Sequence, residues 1–349
     1  MRSSIKFSVK KNFRGFYKLS KIPIVQFIMI LALLSFELVA AQDLIDPTRK
    51  NPYTKVFVDT DNFDASYLEE LEDNYSRIET DSIKFSALND LAYYMHTRDL
   101  NRSLALTRQG LAMTRKNNNT LWEGRFQITE AAILLRKEKL DTALLILEEA
   151  KSKVKKTDLP FLYTQLGYVF ERKGDIMSAA DYALRAQNLG IALNDTKAIA
   201  MAYSDLSNLY WKYSDFDRGL ELGLFSLSYF EERGLNDMDY NFTLYVVGNN
   251  LLSLKRNKEA LTYFQRAISM GERYGFFNNL SDIYISLVDL YTELNQYEAA
   301  EVAGEQALKY ADLIENDFLR MRSWLAIGRL KLFQGKYNEA IETLNRSLE

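Results

Sequence analysis

The sequence contains no cysteine. That absence excludes disulfide bridges, thiolate zinc sites and a cysteine nucleophile, and it removes the acylated cysteine of a bacterial lipoprotein. Proline and glycine are also scarce, with 4 and 15 among the 349 residues. So few helix breakers, in a chain that is 47% hydrophobic, indicate an ordered protein built mainly from long helices.

Histidine is nearly absent as well, because His96 is the single one. Its place beside Tyr93 and Tyr94 predicts a structural or surface role, with a groove contact as the alternative. The sequence shows no partner pattern that would make it catalytic. No phosphate-binding glycine loop, dinucleotide fingerprint, HExxH or GxSxG motif is present, and the carboxylates are scattered over helix-surface positions. The sequence therefore predicts a protein that is not an enzyme and that holds neither a cofactor nor a metal.

The formal net charge of −3 is unevenly distributed. Residues 1–41 carry seven basic side chains and one acidic side chain, Glu37, which leaves −9 on residues 42–349. Because this larger part repels a polyanion, no direct nucleic-acid binding is expected of it.

The basic residues precede a short apolar segment. Ile24 to Phe36 spans 13 residues, which is the length of a signal-peptide core and short for a membrane span. Val39 and Ala41 are the small residues expected just before a cleavage site. Residues 1–41 are therefore predicted to be a signal peptide, with an uncleaved signal-anchor as the main alternative and a buried helix as the weaker one. In the two leading cases the rest of the chain is exported to the periplasmic or extracytoplasmic side of the membrane.

Residues 42–81 are predicted to be a linker with a short leading helix. The linker contains Pro47, Pro52 and the run DTDNFD, and Ser66 is a suitable cap for the short helix that follows. The repeated part of the chain then covers residues 82–349.

A block of about 40 residues recurs seven times in this part of the chain. A small residue follows each short turn, at Ser103, Ala143, Ala179, Gly219, Ala260, Ala300 and Ala340. These positions lie 40, 36, 40, 41, 40 and 40 residues apart. Two antiparallel helices need small side chains where their backbones cross. The spacing therefore predicts an all-α array of seven helix pairs.

This pattern resembles the tetratricopeptide repeat, whose first helix follows W-x2-L-G-x2-Y. The matching residues are Trp324, Ile327 and Gly328 in the last copy and Tyr163, Leu166, Gly167 and Phe170 in the third. The chain departs from the family in its longer period, since the usual repeat has about 34 residues, and in lacking the terminal Pro. The resemblance covers about residues 82–349 and implies a right-handed α-solenoid.

The resemblance also implies a ligand groove on the concave face, which the first helix of each pair lines. Family offsets place these residues in the groove: Asn89, Tyr93, Arg136, Tyr168, Arg172, Asn208, Trp211, Lys212, Tyr245, Asn249, Asp289 and Arg329. Their mixture of aromatic, amide and charged side chains suits a protein or an extended peptide as partner. Asn at the offset of Asn208 and Asn249 commonly bonds a peptide backbone in this family. The Lys–Asn combination that grips a C-terminal carboxylate in chaperone-binding members is not reproduced.

The segment DSIKFSALNDLAYYMHTRDLNRSLALTRQGLAM is similar to the start of the sensor region in Bacteroidetes-type membrane signalling proteins. In those proteins an exported tetratricopeptide array is followed by a membrane helix and a cytoplasmic histidine-kinase or DNA-binding output domain. The resemblance implies a non-catalytic sensor scaffold for this chain. A stand-alone envelope assembly protein without signalling output is the alternative.

The repeat pattern breaks off inside the second helix of the last copy, two residues after Ser347. No following helix covers the apolar side chains of Ile341, Leu344 and Leu348. We therefore expect the native reading frame to continue past residue 349. Membrane association would then come only from the N-terminal segment or from a C-terminal helix beyond this chain.

Overall fold

The computed structural model describes Leu71, Ile78, residues 81–234 and residues 236–348. All of these residues belong to one compact unit that spans Pro52–Glu349. The predicted signal peptide, and nearly all of the predicted linker and leading helix, lie outside the described residues. Those assignments stay predictions.

Fourteen α-helices form seven pairs in the described part of the chain, and no strand occurs there. The first helices of the pairs are α1 (Asp81–Met95), α3 (Thr120–Arg136), α5 (Leu159–Arg172), α7 (Thr196–Lys212), α9 (Met238–Ser253), α11 (Phe277–Glu293) and α13 (Asp317–Phe333). The second helices are α2 (Leu100–Lys116), α4 (Leu140–Ala150), α6 (Ile176–Leu193), α8 (Phe216–Arg233), α10 (Asn257–Tyr274), α12 (Tyr297–Leu313) and α14 (Tyr337–Arg346). The predicted all-α solenoid of seven helix pairs is confirmed.

Capping side chains and left-handed glycines set the ends of the helices at the turns. Asp99 and Asp175 accept a hydrogen bond from the backbone N–H three residues ahead, which satisfies a donor that the first helical turn leaves open. Gly174 and Gly335 adopt φ values of 80° and 73°, a left-handed conformation that glycine reaches without steric cost. These features keep the turns short and hold each pair as a tight hairpin.

The small residues of the repeat lie where the helices cross. Ala143, Ala260, Ala300 and Ala340 are fully buried, and each first helix packs on the second helix of its own pair and on the first helix of the next. Two of the crossings are also hydrogen-bonded, because Ser103 Oγ donates to the carbonyl of Ala92 and Ser207 Oγ donates to that of Gly219, both at 2.5 Å. The first helices consequently line one continuous inner surface.

Among the described helices, none combines the length and the apolar character needed to cross a membrane. In the last helix Ile341 is 60% exposed and Leu344 is half-buried, and Leu348, two residues beyond the helix, is 85% exposed.

Candidate ligand-binding groove

The array curves until its first pair meets its fifth and sixth pairs. In the turn after α1, Thr97 Oγ1 donates to the carbonyl of Gly275 at 3.1 Å, and the Arg98 guanidinium donates to the carbonyl of Tyr274. A few residues further on, Asn101 Nδ2 donates to a carboxylate oxygen of Glu315 at 2.5 Å. These contacts join segments that are far apart in sequence, so they partly enclose the concave face.

A cavity of about 530 Å³ lies on this concave face, and the first helices of all seven pairs contribute to its wall. We call it the inner cavity. Eight of the residues predicted from the sequence line it: Tyr93, Arg136, Tyr168, Arg172, Asn208, Trp211, Lys212 and Tyr245. Its volume falls within the range of about 300–1,000 Å³ that small-ligand sites occupy.

A second cavity of about 740 Å³ lies beside α9, α11 and α13. We call it the C-terminal cavity. Asn249, Asp289 and Arg329 line it, and Trp211 and Arg322 belong to both walls. The two cavities are therefore adjacent stretches of one groove.

Asn89 is the one predicted groove residue that lines neither cavity. It is fully buried, and its Oδ1 accepts a hydrogen bond from Thr129 Oγ1 at 2.9 Å. The structure thus places it between the first two repeats, where it joins α1 to α3. It is too far inside the helix packing to meet a ligand.

Most charged groove residues pair with a neighbouring repeat. Arg172 lies 2.8 Å from Glu138, Lys212 pairs with Glu171, and Asp289 accepts a bidentate contact from Arg329 with both distances at 2.8 Å. Such paired charges connect successive first helices and leave little net charge for a ligand.

Several buried amides are, by contrast, not fully used by the protein. Asn208 Nδ2 donates to Glu171 at 3.2 Å and the Trp211 indole donates to Ser253 at 3.0 Å. Asn249 is 1% exposed, and its amide contacts the Tyr245 hydroxyl. Gln165 Oε1 and Asn278 Oδ1, both in the wall of the inner cavity, have no hydrogen-bond partner among the described residues. Buried polar atoms left in this state suit a ligand that supplies complementary donors and acceptors.

Asp205 and Tyr168 form a buried polar pair at the inner cavity. The Tyr168 hydroxyl donates to Asp205 Oδ1 at 2.8 Å. Burial raises the pKa of Asp205 to about 8, because removing the carboxylate from water outweighs the stabilisation from this hydrogen bond. At neutral pH the Asp205 carboxyl is therefore predominantly uncharged.

His96 packs inside the junction between the first and fifth pairs. Its ring is fully buried, contacts the carbonyl of Tyr93 through Nδ1, and lies 4.5 Å from the Tyr93 ring. Burial, and then the positive charge of Arg136, hold the pKa of His96 well below its ordinary value. The imidazole is thus neutral and is part of the packing, which is the structural role expected from the sequence.

The opposite wall of the inner cavity was not predicted from the sequence. Asp239, Asp282, Phe318 and Arg322 line it from the first two turns of α9, α11 and α13. The family offsets concern the middle and end of each first helix, whereas the curvature of this array brings the helix beginnings into the wall. A sequence signal did exist, because Asp282 and Arg322 are 40 residues apart and pair with each other.

No group of metal-ligating side chains is found among the residues that the structure describes. The groove offers hydrogen-bonding groups, aromatic side chains and paired charges to a ligand.

Part of the chain is similar to a known repeat family. Residues 281–312 and 322–349 match the tetratricopeptide-repeat family model, and these segments correspond to the last two helix pairs. The matched repeats and the shared architecture support a tetratricopeptide-repeat protein with a tetratricopeptide-like α-solenoid fold.

Three relatives illustrate the similarity. "Regulatory protein RapG" of Bacillus subtilis (strain 168) is 26% identical over 105 residues, which is 30% of this chain and 27% of that protein. The structure titled "Crystal Structure of Rap Protein Complexed with Competence and Sporulation Factor" is 14% identical, with a TM-score of 0.59 over 80% of this chain and 76% of that one. Aspartyl phosphate phosphatase F from Bacillus subtilis is 15% identical, with a TM-score of 0.50 over 95% of this chain and 84% of that one.

At these identities the solved structures show the fold alone. The alignment with the curated relative spans little more than a quarter of that protein's length. Together with the repeats, the similarities support a protein-binding repeat scaffold.

Proposed function

We propose that this chain is the exported, non-catalytic sensor part of a bacterial signalling or transcription-regulating protein, and that it binds a short peptide in the groove. The peptide occupies the inner cavity and, when it is long enough, the C-terminal cavity. No step of bond making or breaking is assigned to the groove.

The enclosure of the inner cavity carries the proposal. Because Thr97 and Arg98 contact the carbonyls of Gly275 and Tyr274, the concave face admits a small extended ligand more readily than a folded domain. Gln165 Oε1 and Asn278 Oδ1 offer acceptors to this space. A peptide backbone presents N–H donors and C=O acceptors in alternation, and its N–H donors suit these two amide oxygens.

The similarity to proteins of the Rap group supports the same proposal. One of those structures is described as a complex with Competence and Sporulation Factor, and the curated relative is called a regulatory protein. A regulatory scaffold that encloses a signal molecule is a suitable precedent for this chain. The N-terminal sequence adds the proposal that the signal is sensed outside the cytoplasm, since it has the composition of a signal peptide.

Peptide binding can be measured through tryptophan fluorescence. Trp211 lines both cavities, whereas Trp122 is 4% exposed and belongs to neither wall. Titration with mixtures of unmodified tetra- to octapeptides should change the emission of the full chain. The change should vanish in Trp211→Phe and persist in Trp122→Phe. Emission that no mixture alters, or a response that follows Trp122, would contradict peptide binding in the groove.

Export is tested separately. A fusion of residues 1–60 to a reporter that is active only outside the cytoplasm should produce activity. A silent fusion that is nevertheless expressed would contradict the extracytoplasmic location and leave peptide binding unaffected.

A further inference from the structure

The charges of the inner cavity do not balance. Lys212 pairs with Glu171, Arg322 pairs with Asp282, and the Glu138 carboxylate compensates Arg172 at 2.8 Å. These three pairs leave no net charge on the wall of the cavity.

The carboxylates on the other side of the cavity are also accounted for. Asp239 lies 3.1 Å from the buried Lys197 amine. That amine belongs to a compact network in which Asp237 also pairs with Arg233, so two cations face two carboxylates. Asp205, bonded to Tyr168, is predominantly uncharged at neutral pH because burial raises its pKa to about 8. None of these groups is available to neutralise a further cation.

Arg136 is the cation that remains. Its Nη1 donates to the carbonyl of Ala132 at 2.8 Å, one turn back in α3, and the side chain also hydrogen-bonds to the Tyr93 hydroxyl. Within the described part of the chain, no Asp or Glu side chain forms an ion pair with it, although the other cations of the wall are paired. A guanidinium has five N–H donors, so donors remain after both contacts.

The immediate surroundings do not neutralise Arg136. His96, packed beside Tyr93, is uncharged. A cation in a partly enclosed cavity interacts more strongly with an anion than it would in bulk water, because the local dielectric constant is lower.

We propose that Arg136 is a carboxylate-binding residue, and that the peptide ligand is anchored in the inner cavity by one carboxylate lying on this guanidinium next to the Tyr93 hydroxyl. The planar fork of arginine matches the two oxygens of a carboxylate. This inference rests on the proposed function and makes it more specific. Two sources have the required chemistry, the C-terminal carboxylate of the peptide and an acidic side chain.

Three sets of N-acetylated random tetrapeptides test the proposal. The first set has a C-terminal carboxylate and no Asp or Glu, the second is the same set as C-terminal amides, and the third is amidated with one Glu. Each is incubated with the full chain, and retained peptides are quantified by mass spectrometry. The wild type should retain the first or the third set over the second. Which of these two is retained identifies the C-terminus or the side chain as the source of the carboxylate.

The variants connect this preference to Arg136. Replacing Arg136 by Gln should lower retention of the preferred set roughly 10- to 100-fold, as expected for the loss of a charge-assisted hydrogen bond. Arg136→Lys keeps the charge but not the planar fork, so its retention of the preferred set should lie between those of the wild type and Arg136→Gln. The matched control is Arg185→Gln, since Arg185 pairs with Asp181 at 2.7 Å on α6 and lines neither cavity. It should retain peptides like the wild type, and thermal unfolding should confirm that all the variants are folded.

Two contrary outcomes are distinguishable. Retention of the amide set as strongly as the acids, unchanged in Arg136→Gln, would overturn the carboxylate site and leave peptide binding intact. Retention of no set by the folded wild type would overturn the proposed function, and the carboxylate site with it. Displacement of all the retained peptides by millimolar chloride would show that Arg136 binds any small anion. That result would also overturn a peptide-specific carboxylate site.

Discussion

The guanidinium of Arg172 lies over the ring of Phe318, with 3.5 Å between its Cζ atom and the ring centroid. Arg172 ends the first helix of the third pair, and Phe318 begins that of the seventh, so this contact crosses the groove. Both residues line the inner cavity. The contact therefore supplements the junction of the first and fifth pairs in holding the cavity closed.

We expect this stacking to be measurable as a coupling energy. In a double-mutant cycle with Arg172→Ala, Phe318→Ala and the double variant, chemical unfolding should give a coupling of about 0.5–2 kcal/mol. The control is the pair of the exposed Arg185 and the half-buried Tyr182 within one helix, where 5.2 Å separates the guanidinium Cζ atom from the ring centroid, and it should couple more weakly. Additive effects of Arg172→Ala and Phe318→Ala would show that the contact does not close the groove in solution.

A second prediction concerns the pH dependence of stability. The pKa of Asp205 is about 8 in the folded chain, above the value of about 3.9 for an exposed aspartate. Between these values the unfolded chain has lost the proton and the folded chain keeps it. The contribution of Asp205 to folding therefore weakens as pH rises through this window, by at most about 1.4 kcal/mol per pH unit, and it levels off above pH 8.

Asp205→Asn removes this titration and preserves an oxygen for the Tyr168 hydroxyl. Relative to the wild type, the variant should gain free energy of unfolding steadily from pH 5 to pH 8 in urea titrations. The control is Asp175→Asn, because hydrogen bonds from Ser178 lower the pKa of Asp175, and its effect should be constant over that range. Parallel stability curves for wild type and Asp205→Asn would contradict a raised pKa.

A third prediction compares two glycines at the same repeat position. A Cβ on Gly248 would lie 2.5 Å from Phe264 Cε1, whereas a Cβ on Gly167 would have its nearest neighbour, the carbonyl oxygen of Ala179, at 3.5 Å. Phe264 is fully buried and cannot move aside. Gly248→Ala should destabilise the fold by about 1–3 kcal/mol through overpacking. Gly167→Ala should stabilise it by about 0.5–1 kcal/mol through helix propensity, and thermal unfolding compares the two. Equal effects would contradict the difference in packing.

The repeat spacing was sufficient to predict the helix pairs, because a crossing admits only a small side chain. Ala143 and Ala260 show this directly, since both are fully buried at their predicted crossings. The family offsets also selected side chains that face the concave surface, since Tyr168 and Arg136 line the inner cavity, and their contact with a ligand stays a prediction.

The sequence did not predict the contacts between distant repeats, because these depend on the curvature of the array. Phe318 reaches the cavity only because the seventh pair returns to face the third, and no local pattern encodes that distance. Asn89 shows the converse, since its offset is that of a groove residue but its side chain bonds to Thr129 inside the packing. The balance of charges at Arg136 also depends on which carboxylates reach which cations across repeats, and spacing alone does not determine that.

Asn208 and Asn249 should contribute to the binding of peptides of different length. Asn208 lines the inner cavity and Asn249 lines the C-terminal cavity. Asn208→Ala should therefore weaken the binding of tetrapeptides and octapeptides alike, and Asn249→Ala should weaken only that of the octapeptides that extend past Trp211. Each loss should be about 1–3 kcal/mol in fluorescence titrations, as expected when a buried hydrogen-bond partner is removed.

Stability should change little in Asn208→Ala, because Glu171 stays paired with Lys212. In Asn249→Ala the loss of stability should not exceed that of one hydrogen bond, to the Tyr245 hydroxyl, or about 1 kcal/mol. Thermal unfolding of both variants provides this control. If Asn249→Ala unfolded the chain without altering octapeptide affinity, its amide would be structural. If Asn249→Ala lowered the affinity for tetrapeptides as much as Asn208→Ala does, tetrapeptides would also occupy the C-terminal cavity, which would contradict first occupation of the inner cavity.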